Sequence, residues 1–441
     1  MLIDVNFVSE TSDKATATFL EVLKGRHLNT TRSSRSCQLL PLPDIQGGAE
    51  CLGLTPKLSP ENLSYPVDAE EHFFEIEMAL ARWKQKGVHR PHRAAGYGGP
   101  WIENIWIRHF EDKMFGAAAR ASGPPPCLRS VFGPFVPILL PWVDRWIGNG
   151  KSYPQGMLAA LTSVLRKDVL YVTLAQNDVG LDGAVALSAV PNLLVLSAGG
   201  FGHVPVPLLK QVEPLLSKRP VGKRAMLVSF TGSLGHSPGR MRGHMQQVAR
   251  HFVSSHSPAT NITMYEGANW REVMAESRGQ LCPRGYGRSS YHISESVQMG
   301  LVPIHVYLDV PWVPYADTVF KELGYAVDLK VLESLLVRLA GQSGSLTEAE
   351  AVAELEAKEA AAERYRLSHF TYEGAMAQIG RFLLRPSASV PSGSRSAGAF
   401  RRGLSTAAAG SDLRCTAIPE SPRAAAFPEP VWANSLSGAH G

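Results

Sequence analysis

Between Ala275 and Asp317 the chain runs AESRGQLCPRGYGRSSYHISESVQMGLVPIHVYLDVPWVPYAD, an alternation that few folds accommodate. Gln280-Leu281-Cys282-Pro283 is a short apolar run closed by proline, which reads as a buried strand. Arg284-Gly285-Tyr286-Gly287-Arg288-Ser289-Ser290 follows as a glycine-rich loop with two arginines and two serine hydroxyls. A helix is expected next, with Glu295 inside it and Gly300 at its end. Val302–Tyr307 reads as a second buried strand, and Asp309 sits just past it. Strand, loop, helix, strand is a βαβ unit. In such units ligands lie outside the carboxyl ends of the strands. Both ends here carry polar or charged residues suited to a phosphorylated ligand.

The same alternation extends over much of the chain. His72–Lys84 has apolar residues at helical spacing. Val131–Pro141 reads as a strand with an extended exit, and Ser152-Tyr-Pro-Gln155 has the spacing of a capping box opening a helix. Val169–Leu174 and Leu193–Ser197 read as buried strands. A second cycle follows. Ala225–Phe230 is an expected strand with Thr231-Gly232-Ser233 as its turn. Residues 240–255 are an expected helix, and Ile262–Tyr265 another strand. Thr347-Glu-Ala-Glu350 is a second capping box, opening a helix to about Leu367. Strands alternating with helices predict parallel α/β sheets. The expected layout is α/β with two Rossmann-like lobes, over 66–215 and 216–385, facing a cleft. Residues 1–65 are a poorly specified extension, and 386–441 have the Ser/Ala/Pro/Gly composition of a disordered tail.

Bulk properties narrow the partners. A chain of 441 residues exceeds one ordinary core. The net charge of +5 is spread rather than blocked, which argues against a nucleic-acid binder and leaves anionic small molecules as natural ligands. Cys37, Cys51, Cys127, Cys282 and Cys415 show no CxxC, so most are expected as free or buried thiols, with Cys37–Cys51 the one pair named as bridgeable. No run of 18 apolar residues predicts a membrane span, and Met1–Phe7 lacks the character of a signal peptide. Gly96-Tyr-Gly-Gly and Gly199-Gly-Phe-Gly lack the G-x-G-x-x-G spacing of dinucleotide enzymes. There is no P-loop and no DxD motif.

The residues of 280–315 resemble the exostosin-type glycosyltransferases. Their C-terminal signature is similar to Pro283-Arg284-Gly285, then Ser290-Tyr-His292-Ile-Ser-Glu295, then Gly300-Leu-Val-Pro303-Ile304, Asp309 and Trp312-Val-Pro314-Tyr315. Weaker matches in the right order are Val131–Pro137, Pro191–Gly200 and Phe230-Thr-Gly232 with Arg240. The family's arginine in S-x-R-x-x-E is His292 here, and Arg288 is the candidate replacement.

The resemblance implies transfer of a sugar from a nucleotide-sugar, with a UDP-linked donor the first choice, to a glycan or glycoprotein acceptor, on a GT-B-like fold. It implies donor binding by Gly232, Arg240, Arg284, Gly285, Arg288, Ser290, His292, Glu295 and Asp309, with Glu295 as the ribose clamp. The diphosphate leaving group would be stabilised by arginines and a helix N-terminus rather than a tightly held metal. The transfer is expected to be inverting, and Asp178 and His203 are then the candidate bases, with Asn177 and Asp182 nearby. The resemblance implies the Golgi. The rival reading is a non-catalytic binding or scaffold subunit of a glycosyltransferase complex.

Overall fold

The computed structural model describes residues 37, 43–52, 62–84, 101–116, 126–181, 190–386 and 411–416. The candidate Asp182, the 86–100 loop and most of both termini lie outside the described residues.

Two parallel sheets organise the chain. The first comprises β1 (Phe135–Pro137), β2 (Leu170–Ala175), β3 (Leu193–Ser197) and β4 (Val204–Pro205) in the order β1-β2-β3-β4. The second comprises β5 (Met226–Thr231), β6 (Ile262–Tyr265), β7 (Ser277–Pro283), β8 (Pro303–Tyr307) and β9 (Tyr325–Asp328). Its order is β6-β5-β7-β8-β9, again all parallel. Strands of parallel sheets are covered on both faces and so read as continuous apolar runs. Every residue of β2 and β3 is accordingly buried.

Helices cover the sheets. Preceding or accompanying the first are α1 (Ile45–Cys51), α2 (Ala69–Lys84), α3 (Ile102–Phe115), α4 (Leu128–Phe132), α5 (Trp142–Gly148) and α6 (Met157–Thr162). With the second come α7 (Met241–Ser255), α8 (Trp270–Ala275), α9 (Tyr291–Gln298), α10 (Leu332–Leu339), α11 (Glu348–His369) and α12 (Tyr372–Leu384). The last of these returns to the first sheet. Met376, Ile379, Phe382 and Leu383 share one core with Phe132, Phe135 and Leu170. A separate core, built on Val228, Phe230, Leu281, Ile304 and Leu336, belongs to the second sheet.

Several expectations are corrected. Val131 and Phe132 end a helix, because Gly133 (φ +58°) turns the chain before β1 begins. Ser152–Gln155 does not cap a helix. Ser152 bonds Asn149 in a turn, and α6 starts at Met157 after the left-handed Gly156. The extension before residue 65 is partly ordered, since Asp44 caps α1 and Gly48 packs against Leu170 and Pro134. The tail is ordered at 411–416, where the Thr416 N–H donates to the His203 carbonyl. Four cysteines pair, as Cys37–Cys127 and Cys51–Cys415, and not as Cys37–Cys51. Cys282 is free and buried.

Candidate functional site

The second sheet fixes where a ligand can enter. From β5 the chain moves outward to β6, then returns on the other side of β5 as β7 and continues to β8 and β9. The crossovers therefore diverge between β5 and β7. Such a switch point leaves a crevice outside the carboxyl ends of the two strands, where open α/β sheets bind ligands. The loops that border it are 232–240, after β5, and 284–290, after β7.

The carboxyl edge of the first sheet meets the same place. The Arg288 N–H donates to the Gly199 carbonyl at 2.8 Å, beyond β3. Gln176, beyond β2, donates to the Tyr291 hydroxyl at 2.9 Å. Trp312 donates its indole N–H to the Ser197 carbonyl at 3.0 Å. A Cβ on Gly287 would lie 2.2 Å from the Gly199 carbonyl, so only glycine permits this approach. The 284–290 loop is thus wedged between the two sheets.

Arg284 holds that loop from beneath. It is 1% exposed and donates Nε to the Gly287 carbonyl, Nη2 to the Tyr286 carbonyl and Nη1 to Asp309. Arg288, also buried, donates Nε to the other Asp309 oxygen at 2.7 Å and lies 4.0 Å over the Phe201 ring. Burial opposes ionisation of Asp309, but Arg284 and the Arg288 hydrogen bond outweigh it and lower its pKa. The two arginines expected to face a diphosphate are engaged internally. Arg242, the other arginine beside Arg240 after Thr231-Gly232, is also engaged internally. It donates to the carbonyls of Arg284 and Ser233, and lies 5.4 Å over Phe230.

Glu295 is buried, with Lys210 paired to one oxygen and His292 Nδ1 2.8 Å from the other. Burial raises its pKa, but these two partners dominate and hold it down at about 2. His292 packs edge-on against Phe230, and its Nε2 is 3.0 Å from where a Cβ on Gly232 would sit. Gly232 (φ +147°) therefore supplies room as well as conformation. Ser290 spends its hydroxyl as the N-cap of α9, accepting the His292 N–H. Gly285 closes the loop on the Ser289 carbonyl. Arg240 is exposed and left-handed (φ +52°) at the start of α7.

The two candidate bases separate. Asp178 keeps solvent contact yet is closely surrounded by protein atoms. Burial raises its pKa, offset by the Gly287 N–H and Arg284. It lies beside the 284–290 loop, its Oδ1 2.8 Å from where a Cβ on Gly287 would sit. His203 is buried, and its Nδ1 accepts the Val195 N–H at 2.9 Å. Burial lowers its pKa to about 4. Its ring serves the edge of the first sheet.

Glu103 had no sequence signal. It is fully buried on α3, accepting the Gln176 and Val143 N–H groups, and burial raises its pKa to about 8. Lys210 and Tyr291 were equally unmarked, because their roles depend on which loops meet.

No protein-family model matches the chain, and no curated protein matches it. Among solved structures it is similar to one described as "Crystal Structure of TarM". The TM-score is 0.30 and the identity 8%, over 48% of this chain and 43% of that one. The chain thus spans less than half the length of that solved chain. Among the described residues no helix is long and apolar enough to cross a membrane.

Proposed function

We propose that the protein is a glycosyltransferase of GT-B-like architecture that uses a nucleotide-sugar, with a UDP-linked sugar the first choice, and a glycan or glycoprotein acceptor. The observation that carries this reading is the facing of two parallel-sheet carboxyl edges across a switch point bordered by Arg240 and Arg242, with Arg284 and Arg288 buried in the adjoining loop. Cationic side chains there suit a departing diphosphate. The exostosin-like order of Pro283-Arg284-Gly285, Ser290…Glu295 and Asp309 supports the same site. In this reading Arg240 and Arg242 face phosphate. Arg284, Arg288 and Asp309 hold the neighbouring 284–290 loop. Asp178 is the candidate base on the opposing edge, and the Golgi remains the proposed location.

A second reading has specific support. Glu295 is occupied by Lys210 and His292, and Arg284 and Arg288 are committed to Asp309. A non-catalytic scaffold subunit would tolerate such internal pairing.

The test is a panel of nucleotide-sugars incubated with the protein and mixed glycan acceptors, with released nucleoside diphosphate quantified. Release from one donor that Asp178→Asn abolishes supports the transferase. Nucleotide binding without release across acceptors favours the scaffold. Absence of both contradicts the nucleotide-sugar site.

A further inference from the structure

The second sheet has an open side. Among the described residues β6 pairs with β5 alone, so its other row of N–H and C=O groups faces outward. Its residues Ile262, Thr263, Met264 and Tyr265 are all half-buried, whereas every residue of β5 is buried. Ile262 and Met264 lean on the second core, and none of the strand's residues carries a charge. An uncharged edge strand is a template for pairing with another chain, and proteins blunt such edges with charge, proline or a cover. Exposed Glu266 supplies a charge just past the carboxyl end of β6. The amino end begins instead with Asn261, after the exposed Pro258 and Ala259.

Asn261-Ile262-Thr263 is an N-x-T sequence without a central proline, the acceptor pattern for N-linked glycans. Asn261 is exposed, and its carbonyl accepts the Leu227 N–H at 2.9 Å, so its backbone is anchored at the sheet's surface. Of the other two such sequences, Asn29 lies outside the described residues and Asn62 borders a stretch that does. The disulfides Cys37–Cys127 and Cys51–Cys415 point the same way independently. They belong to an oxidising compartment, the setting in which chains meet N-glycosylation.

The position also leaves the ligand crevice open. All strands of a parallel sheet run one way, and Asn261 sits beside Leu227 at the amino end of β5. The loops after Thr231 and Pro283 lie at the other end, one strand length of roughly 13 Å away. A bulky, hydrated group at Asn261 therefore stands clear of the switch point.

We propose that Asn261 is an N-glycosylation site whose glycan covers the open edge of β6. The co-reactant is an oligosaccharide carried on a lipid diphosphate. The Asn261 amide nitrogen bonds to the anomeric carbon, the bond from that carbon to the diphosphate oxygen breaks, and the lipid diphosphate departs with the electron pair. One amide proton passes to the transferring enzyme. This inference stands apart from the nucleotide-sugar reading, since it concerns the opposite end of the sheet.

The experiment secretes the full chain from a eukaryotic cell behind a cleavable leader, as wild type, Asn261→Gln, Asn261→Lys, Thr263→Ser and Thr263→Ala. Peptide mapping by mass spectrometry, before and after peptide N-glycosidase, reads the site. A glycopeptide spanning Asn261 is expected in wild type and in Thr263→Ser, which keeps the hydroxyl, and is expected to be lost in the other three. Secreted wild type with an unmodified Asn261 overturns the proposal, as does a glycan that survives Thr263→Ala. Sedimentation at rising protein concentration reads the cover. Asn261→Gln should form larger species than wild type, and Asn261→Lys, whose charge guards the edge without a glycan, should not. Asn261→Gln that sediments as wild type overturns the covering role. So does Asn261→Lys that associates as Asn261→Gln does, because the contact then lies elsewhere.

Discussion

At the scale of single residues, buried charge decides most of what is testable. Arg284 and Arg288 share the two oxygens of Asp309, and both guanidinium groups are almost wholly buried. Removing one partner of such a set leaves an uncompensated charge. Asp309→Asn is expected to cost about 3 kcal/mol, the low end of the range, because Asp309 is 23% exposed. Denaturant unfolding measures it, and a loss below about 1 kcal/mol, the worth of an exposed pair, would show that water already screens the cluster. Glu103 gives a pH signature. Its carboxyl ionises near 4.5 in a free chain and near 8 in the fold. Between those values folding takes up a proton, so its contribution is complete below 4.5 and is lost as pH rises through 8. Wild type should therefore lose stability relative to Glu103→Gln between pH 5 and pH 8.5. Parallel unfolding midpoints across that window would contradict the raised ionisation.

At the scale of elements, two substitutions of similar size should differ in effect. Thr347 caps α11, accepting the Glu350 N–H while Glu350 accepts in return. Thr347→Ala is expected to cost about 1 kcal/mol. Gly133 has φ +58°, and a Cβ there would lie 2.0 Å from the Leu383 carbonyl in α12. Gly133→Ala should cost about 1–3 kcal/mol in backbone strain alone, with the displacement of α12 added. Comparable midpoints for the two variants would mean α12 can shift freely. The contrast also marks what the sequence discloses. The Thr347 box is legible because both partners sit within one turn. So are β2, β3, β5, β7 and β8, whose apolar runs are long and bounded by turn residues. Gly133 is not, because the atom it must avoid is 250 positions away. Val131 and Phe132 carry strand-like side chains, yet a five-residue helix claims them where tertiary packing outweighs propensity. The site divides the same way. Arg284, Gly285, Arg288 and Asp309 stand out in one loop and its neighbouring strand end. Lys210 and Phe201 acquire meaning only when other loops arrive beside them.

At the scale of the whole molecule, the chain leaves the first sheet, builds the second, and comes back. Residues 206–225 carry it out and α12 brings it home, packing on α4 and α3. The segment 411–416 follows it there. Ser411 bonds the Gln378 carbonyl, Asp412 lies 2.9 Å from His369, and Cys415 is joined to Cys51 of α1 across 364 residues. Both ends of the described chain are thereby fastened to one sheet. A bridge closing so long a loop restricts the unfolded chain most, and the entropic limit is about 5 kcal/mol. Such bridges persist in oxidising compartments, so native protein is expected in higher yield from an oxidising host than from a reducing one. The Cys51–Cys415 bridge touches only the first core, since both of its cysteines pack within it. Cys415→Ser, or mild reduction, should therefore act unevenly. Hydrogen exchange is expected to rise in α1, in α12 and at residues 411–416, while β5, β7 and β8 keep their protection. The 284–290 loop and the arginines that hold it depend on those three strands, so nucleotide affinity should survive the loss of the bridge. Uniform loss of protection would instead mean that the two sheets unfold as one unit. The Arg288–Gly199 and Trp312–Ser197 contacts would then couple them more strongly than the covalent strap does.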